Sequence, residues 1–473
     1  MLKDLFKSTI LYGLASTIGS FVGLFLVPIY TRIFTPEQYG IIDLIQTVTA
    51  IIAIFGMLLL ESATQRYYYE VKDDDERRKY LSTALWTICT LSLVCVLIII
   101  IISKELSLLL FSDVQYYKIL ILASIKIPLF NIFALCTIII RYMKKPTVFA
   151  LFILIQILTI ITLSIWLVVY KNIGIMGVFY GQVIGYFVVA SLIIYFLRKT
   201  FSFYWHHNII KKLLAFSLPV MPAQIGVLGS TYANRFIMLG YLSLSDIGLY
   251  TIALKISSVF LLIQGAFANA WYPFFYENLK NKEHKEIYKK VTTYITILVF
   301  ILVSVFSLFS KELLVLLTTE KYYAAAPLIG ILAFSHCLII ISNTVNLGTL
   351  ITKKTIYGTY AYLSGMIFNV LFLFLLVPGI GIIGVPISIF IGNVIFLLFA
   401  WIVSEKLYYI GFNKKLFILM FILTLVVVGG NILAEIDIIY KTVFSFFLFL
   451  FILFYFRNFI KIIVPLSLLK KSE

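Results

Sequence analysis

The chain has 473 residues, of which 62% are hydrophobic and 12% charged, with a mean hydropathy of +1.06. A soluble domain carries about 45–50% apolar and about 25% charged residues, so a water-soluble globule and a disordered chain are both excluded. The formal net charge of +17 would suggest nucleic acid in a soluble protein; in a membrane protein it reflects basic loops that orient the helices, and no nucleic-acid partner is expected.

Fourteen spans of about 20 residues need about 280 positions, close to the apolar total. The apolar runs are continuous rather than alternating, which excludes a β-barrel. The sequence therefore predicts an all-α polytopic membrane protein with about 14 transmembrane helices. Apolar windows place them at 8–31, 38–63, 81–102, 115–140, 147–169, 174–197, 213–238, 247–272, 289–309, 324–350, 356–377, 380–403, 416–433 and 438–456. The first window is too long for a signal-peptide core and lacks a small-x-small cleavage site, so it is read as a retained span. Cys89, Cys95, Cys136 and Cys337 lie in apolar stretches without metal or redox spacing. His206, His207, His284 and His336 form no zinc pattern, and no metal is expected.

With the N-terminus inside, the cytoplasmic segments hold 28 of the 38 Lys and Arg. The outer loops hold six: Arg32, Lys104, Lys171, Lys311, Lys321 and Lys441. This asymmetry predicts that both termini are cytoplasmic.

The chain also repeats itself at an offset of 206 to 209 residues. KELSLLLFSDVQYY (104–117) matches KELLVLLTTEKYY (311–323), KKPTVF (144–149) matches KKTIYG (353–358), and GIMGV (174–178) matches GIIGV (381–385). YYE (68–70) matches FYE (275–277), and PEQYG (36–40) matches LSDIG (244–248). Each repeat holds six spans. An even number keeps both halves in the same orientation, related by an axis along the membrane normal. The expected organisation is a six-helix lobe at 1–205, a second at 206–410, and two extra helices with a basic tail at 411–473. The two parallel lobes are expected around a central cavity. Gly177, Gly181 and Gly185, matched by Gly384, Ser388 and Gly392, are spaced for close helix packing. Pro28, Pro128, Pro219, Pro222, Pro273 and Pro386 are expected to kink spans.

Ionisable groups at membrane depth are costly and usually face a bundle interior or a wet cavity. Lys126 lies mid-span, Lys118 and Arg235 near outer span ends, Lys255 about two turns into its span, and Arg32 at a span end. Snorkelling explains Lys118 best and Lys126 worst. Asp43 and Glu61 are the acids at depth, candidates for pairing or for coupling. Five bases against two acids suggest a cationic cavity, which favours an anionic cargo, most simply a phosphate. In-span amides such as Asn234 and Asn269 are interhelical hydrogen bonders or groups that meet sugar hydroxyls. Among them also stand Gln46, Asn131, Gln156 and Gln182. There is no Gly-rich phosphate loop with a lysine, hence no ATP site. No cofactor is expected.

LVPIYTRIFTPEQYGIIDL (26–44) resembles the start of bacterial Wzx-type polysaccharide flippases. Their superfamily joins multidrug, oligosaccharidyl-lipid and polysaccharide exporters. SLPVMPAQIGVLGSTYANRFIML (217–239) resembles that family's seventh span, DIGLYTIALKISSV (246–259) its eighth, and NAWYPFFYE (269–277) the stretch that closes it. The resemblance covers about residues 5 to 410. One departure is Asn234, where the family carries an acid before the arginine. Arg235 then lacks its adjacent counter-charge and must pair elsewhere or be freer to meet substrate.

The resemblance implies a non-enzymatic flippase that carries undecaprenyl-diphosphate-linked oligosaccharide across a bacterial plasma membrane, from inner to outer leaflet, by alternating access. Surface polysaccharides such as O-antigen, lipopolysaccharide or capsule would be the product. Partners would be the lipid-linked oligosaccharide, membrane lipids, a polysaccharide polymerase and a chain-length regulator. The residues expected to meet the diphosphate or sugar are Arg32, Lys126, Arg235, Lys255, Asn234 and Asn269. Alternatives are a multidrug exporter or lipid II flippase of the same superfamily. A membrane glycosyltransferase or polymerase is disfavoured because no long outer loop exists.

Overall fold

The computed structural model describes residues 23–433, 437–448 and 450. Most of the expected first span and the end of the fourteenth lie outside these residues. Among the described residues there is no strand, and the fold is all-helical. Ten helical stretches of the described residues are long and apolar enough to cross a membrane. Several of them contain two helices, and in Ile356–Leu407 each of the two is itself more than 20 residues long. The chain is a multi-pass membrane protein. Its Cα packing falls into two compact units, residues 1–251 and 252–473.

The first unit begins with α1 (Val27–Ile33), α2 (Pro36–Met57) and α3 (Leu60–Glu70). It continues with α4 (Asp74–Phe111), α5 (Tyr117–Tyr142), α6 (Pro146–Ile165) and α7 (Ile175–Phe196). After a linker come α8 (His207–Ser217) and α9 (Met221–Tyr241); α10 (Leu244–Ser257) runs across the unit boundary. The sequence TPEQ starts α2 with a capping box: Gln38 N donates to Thr35 Oγ1 at 3.3 Å, and Thr35 N donates to Gln38 Oε1 at 3.1 Å. Two donors at the helix end are thereby satisfied. The helix then stops at Leu58 and Leu59, both left-handed at φ 48° and 55°, inside what the sequence predicts as one span. Nothing in the run MLLLES announces a break, because it holds neither Gly nor Pro. At α4, Asp73 caps Glu76 N at 2.8 Å with Asp74, Asp75 and Glu76 in the first turn. That cap carries the helix well beyond its apolar window.

Buried Asn131 ties α2, α4 and α5 together: its Nδ2 donates to Ala53 O and to Ser92 Oγ, each at 2.9 Å. Gly177 and Gly181 bring α7 against the end of α6, where an added Cβ would strike the backbone of Leu167 and Ser164. Gly40 and Gly248, which the repeat pairs, face each other; a Cβ on either would collide with the Leu244 or Pro36 carbonyl oxygen. The expected seventh span starts later than its apolar window, at Met221. Pro219 and Pro222 cannot donate to a helix ladder, so α8 ends and a short 3-10 turn, Leu218–Val220, precedes α9.

The second unit holds α11 (Val259–Asn278), α12 (His284–Leu308), α13 (Ser310–Leu317), α14 (Ala326–Val345) and α15 (Leu347–Ile351). It continues with α16 (Ile356–Ile380), α17 (Gly384–Leu407), α18 (Lys414–Leu433) and α19 (Ile438–Leu448). Its core is aromatic: Phe300, Phe334, Phe417 and Phe421 pack together with Phe390 and Trp401. The repeat is visible in the backbone as well as in the sequence. Lys144 and Lys353 both adopt positive φ, 55° and 59°, and Gly174 and Gly381 share φ 67° and 64°. The two copies differ at one point. The first KEL motif lies inside α4, but the second starts α13 after a break. Beside that break Asn431 of α18 donates to Ser307 O at 2.7 Å.

Of the prolines expected to kink spans, Pro128 and Pro273 sit inside helices. Pro28, Pro219 and Pro222 instead occupy first turns, where a missing N–H costs nothing.

Candidate functional site

A cavity of about 520 Å³ opens within the first unit, lined by α2, α5, α6, α7 and α9. Helical periodicity puts its polar groups there. On α2, Asp43, Gln46, Thr47, Ala50 and Ile54 recur every three or four residues and so share one face. Lys126 and Phe130 on α5, Gln156 and Ile160 on α6, and Gln182 and Tyr186 on α7 are each four apart; Tyr232 and Arg235 on α9 are three apart.

Three charged side chains line this cavity, and they are not equivalent. Arg235 Nε donates to Asp43 Oδ2 at 3.1 Å, with side-chain exposures of 9% and 11%. Arg235 Nη1 also donates to Thr231 O at 3.0 Å, and its guanidinium lies 5.5 Å from the Tyr250 ring centroid. Tyr250 is in turn hydrogen-bonded by Asn234. Lys126 forms no ion pair among the described residues. Its Nζ donates to Gln182 Oε1 at 2.9 Å and lies 6.0 Å from the Phe179 ring centroid. Gln156 Nε2 donates to Tyr186 OH at 3.2 Å across the same wall. Asp43 is the one carboxylate of this lining among the described residues, so two cations leave a surplus of one positive charge.

The structure thus brings together Lys126, Arg235 and Asp43, with Asn234 behind them. It gives Arg235 the distant counter-charge that replaces the adjacent acid. It does not bring Arg32, Lys255, Asn269 or Glu61 into this lining. Arg32 and Asn269 are exposed, and Lys255 is half-buried in the second unit. Glu61 sits just past the α2–α3 break, where its backbone carbonyl accepts from Tyr142 OH at 3.1 Å. The cavity residues that charge alone did not single out are Thr47, Tyr186 and Tyr232. Their signal is the three-and-four spacing from Asp43, Gln182 and Arg235.

A larger hollow of about 1130 Å³ lies in the second unit between α13 and α18. It carries Lys311, Lys441, Glu312 and Asp437, two charges of each sign, with Lys441 Nζ held 2.8 Å from Glu312 Oε1. It has no surplus charge.

The fold is similar to that of the lipid II flippase MurJ in an inward closed conformation. The match covers 95% of this chain and 100% of that one at 17% identity, with a TM-score of 0.73. An inward-facing multidrug resistance MATE family transporter of the MOP superfamily is similar over 84% of this chain and 94% of its own, at 17% identity and a TM-score of 0.59. The fold class is therefore that of multi-pass MurJ- and MATE-like proteins. The chain itself belongs to the polysaccharide biosynthesis protein family, which matches residues 29–327. It is also 27% identical over 238 residues to the uncharacterized membrane protein MJ1068 of Methanocaldococcus jannaschii. That match spans about half of each chain, 49% of this one and 46% of the relative.

Proposed function

We propose that this protein is a flippase, not an enzyme, which moves a polyprenyl-diphosphate-linked oligosaccharide between membrane leaflets by alternating access. The observation that carries the reading is Lys126: a cation at membrane depth, facing a polar cavity, held by an amide instead of a carboxylate. A cation at membrane depth without a counter-ion is costly, and an anionic cargo would supply what the protein leaves out. Membership of the polysaccharide biosynthesis family supports a glycan as the remainder of the cargo. The amides Gln46, Gln156 and Gln182 and the phenols Tyr186 and Tyr232 are suited to sugar hydroxyls.

On this reading the protein resides in a bacterial plasma membrane with both termini cytoplasmic, as the basic-residue bias suggests. Two six-helix lobes, 1–205 and 206–410, would be the moving parts, and 411–473 an appendage. Arg32, Lys255 and Asn269 would enter only in another conformation. The product would be a surface glycan such as O-antigen or capsule, handed to a polymerase and a chain-length regulator. Lipid II transport is the second reading, favoured by the likeness to MurJ; it shares the diphosphate and the same need for Lys126. A cationic drug fits poorly, because the cavity already has positive charge in surplus.

The test is Lys126→Gln in a strain lacking the wild-type gene, with membrane insertion checked. Surface polysaccharide should fall at least about tenfold, the loss of one charged hydrogen bond, and the lipid-linked precursor should accumulate. Unchanged export would overturn the diphosphate reading, and the identity of the accumulated precursor separates the two cargoes.

A further inference from the structure

We propose a second site in the first unit that binds the phosphate headgroup and one acyl chain of an anionic glycerophospholipid. The geometry is a cavity of about 540 Å³ at the ends of α6 and α7 bearing Lys145, Arg198 and Lys199. It shares no lining residue with the cavity around Lys126.

Its polar half is cationic. Lys145, Arg198 and Lys199 are all exposed, and none forms an ion pair among the described residues. No Asp or Glu lines the cavity among those residues. Aromatic rings hold two of the cations in place: Lys145 Nζ lies 5.6 Å from the Phe196 centroid, and Arg198 Cζ 4.2 Å from that of Tyr195. Ring faces orient a cation without neutralising it, so all three charges remain available to an anion.

The other half of the cavity is apolar. Phe152, Ile155, Leu192 and Phe196 continue it along α6 and α7, with Phe152 packed edge-on against Phe196 at 5.7 Å. On α6, Leu151 and Leu158 are 55% and 62% exposed, so this face meets the bilayer. A site with a cationic mouth and an apolar trough beside acyl chains matches an amphiphile with a phosphate headgroup. Clustered basic residues at the cytoplasmic ends of helices attract anionic lipids at about 1 kcal/mol per residue. Snorkelling alone would leave lysines splayed toward water; here three cations converge on one hollow that an acyl chain can also enter.

The experiment uses the full chain purified in detergent, with lipid retention read by native mass spectrometry. Phosphatidylglycerol and phosphatidylcholine of the same acyl chains are compared. Phosphatidylglycerol should bind about tenfold more tightly or better, and the Lys145→Gln/Arg198→Gln/Lys199→Gln variant should bind both alike. Leu192→Trp keeps every charge and fills the trough. It should also lose phosphatidylglycerol, which keeps the test decisive should the triple variant misfold. Inorganic phosphate should not displace the lipid. Equal binding of the two lipids, indifference to both variants, or displacement by inorganic phosphate would overturn the proposal. So would preferential displacement by undecaprenyl phosphate, which would make this a cargo site.

Discussion

Asp43 and Arg235 form a buried pair whose two halves come from different sequence repeats, and cutting it has a calculable cost. At about 4 Å between charge centres and an effective dielectric of about 20, the attraction is about 4 kcal/mol. Desolvation offsets part of it, yet removal of one partner strands the other, at about 3 kcal/mol for a buried pair. The side chains are only 9% and 11% exposed, so the buried figure applies, at its lower end because both line a cavity. Asp43→Ala should therefore destabilise by about 3 kcal/mol, and Arg235→Met by a similar amount. The double variant should cost less than the sum, leaving a coupling energy of about 2 kcal/mol. The assay is unfolding in mixed dodecyl maltoside and dodecyl sulfate micelles, followed by circular dichroism for all four members of the cycle. A coupling below about 0.5 kcal/mol would refute the claim that these residues are each other's principal partners.

Two further outcomes follow from the backbone. Gly40→Leu or Gly248→Leu should each destabilise by about 1–3 kcal/mol, since a side chain there overpacks against a carbonyl oxygen; the same micelle titration reads it, and wild-type stability would contradict the close approach. Leu59 stands at φ 55° between α2 and α3, a left-handed position that disfavours side chains by about 1–2 kcal/mol; Leu59→Gly should be neutral or stabilising and Leu59→Val destabilising, and the reverse order would mean that the break is absent.

Much of the fold was legible because membrane spans write themselves as length and hydropathy. The repeat was legible too, and it reached down to matched left-handed residues at Lys144 and Lys353, where no sequence rule calls for them. Breaks were legible only where a residue type forces them. Pro219 and Pro222 end α8, but Leu58 and Leu59 leave helical space with neither Gly nor Pro among them to mark it. Counting charges at membrane depth singled out Lys126, Arg235 and Asp43, which line the cavity of the first unit. It also named Arg32, and the survey of in-span amides named Asn269, neither of which lines this cavity; one-dimensional depth does not say which way a side chain points. The helical spacing around Asp43 and Gln182 carried that direction, and with it Tyr186 and Tyr232.

The two cations of the cavity imply an order of engagement for an anion. Gln182 is a neutral acceptor, so a phosphate oxygen can replace it at Lys126 without breaking an ion pair. Arg235 is reached only by displacing Asp43, which a monoanion does poorly because it offers no more charge than the carboxylate it would replace. A diphosphate carries enough charge to hold Lys126 and compete for Arg235 together. On the proposed reading, discrimination between phosphate and diphosphate would rest on the Asp43–Arg235 pair, whereas Lys126 would admit either. A cationic drug meets the opposite arrangement, a lone ammonium and a carboxylate already committed to an arginine.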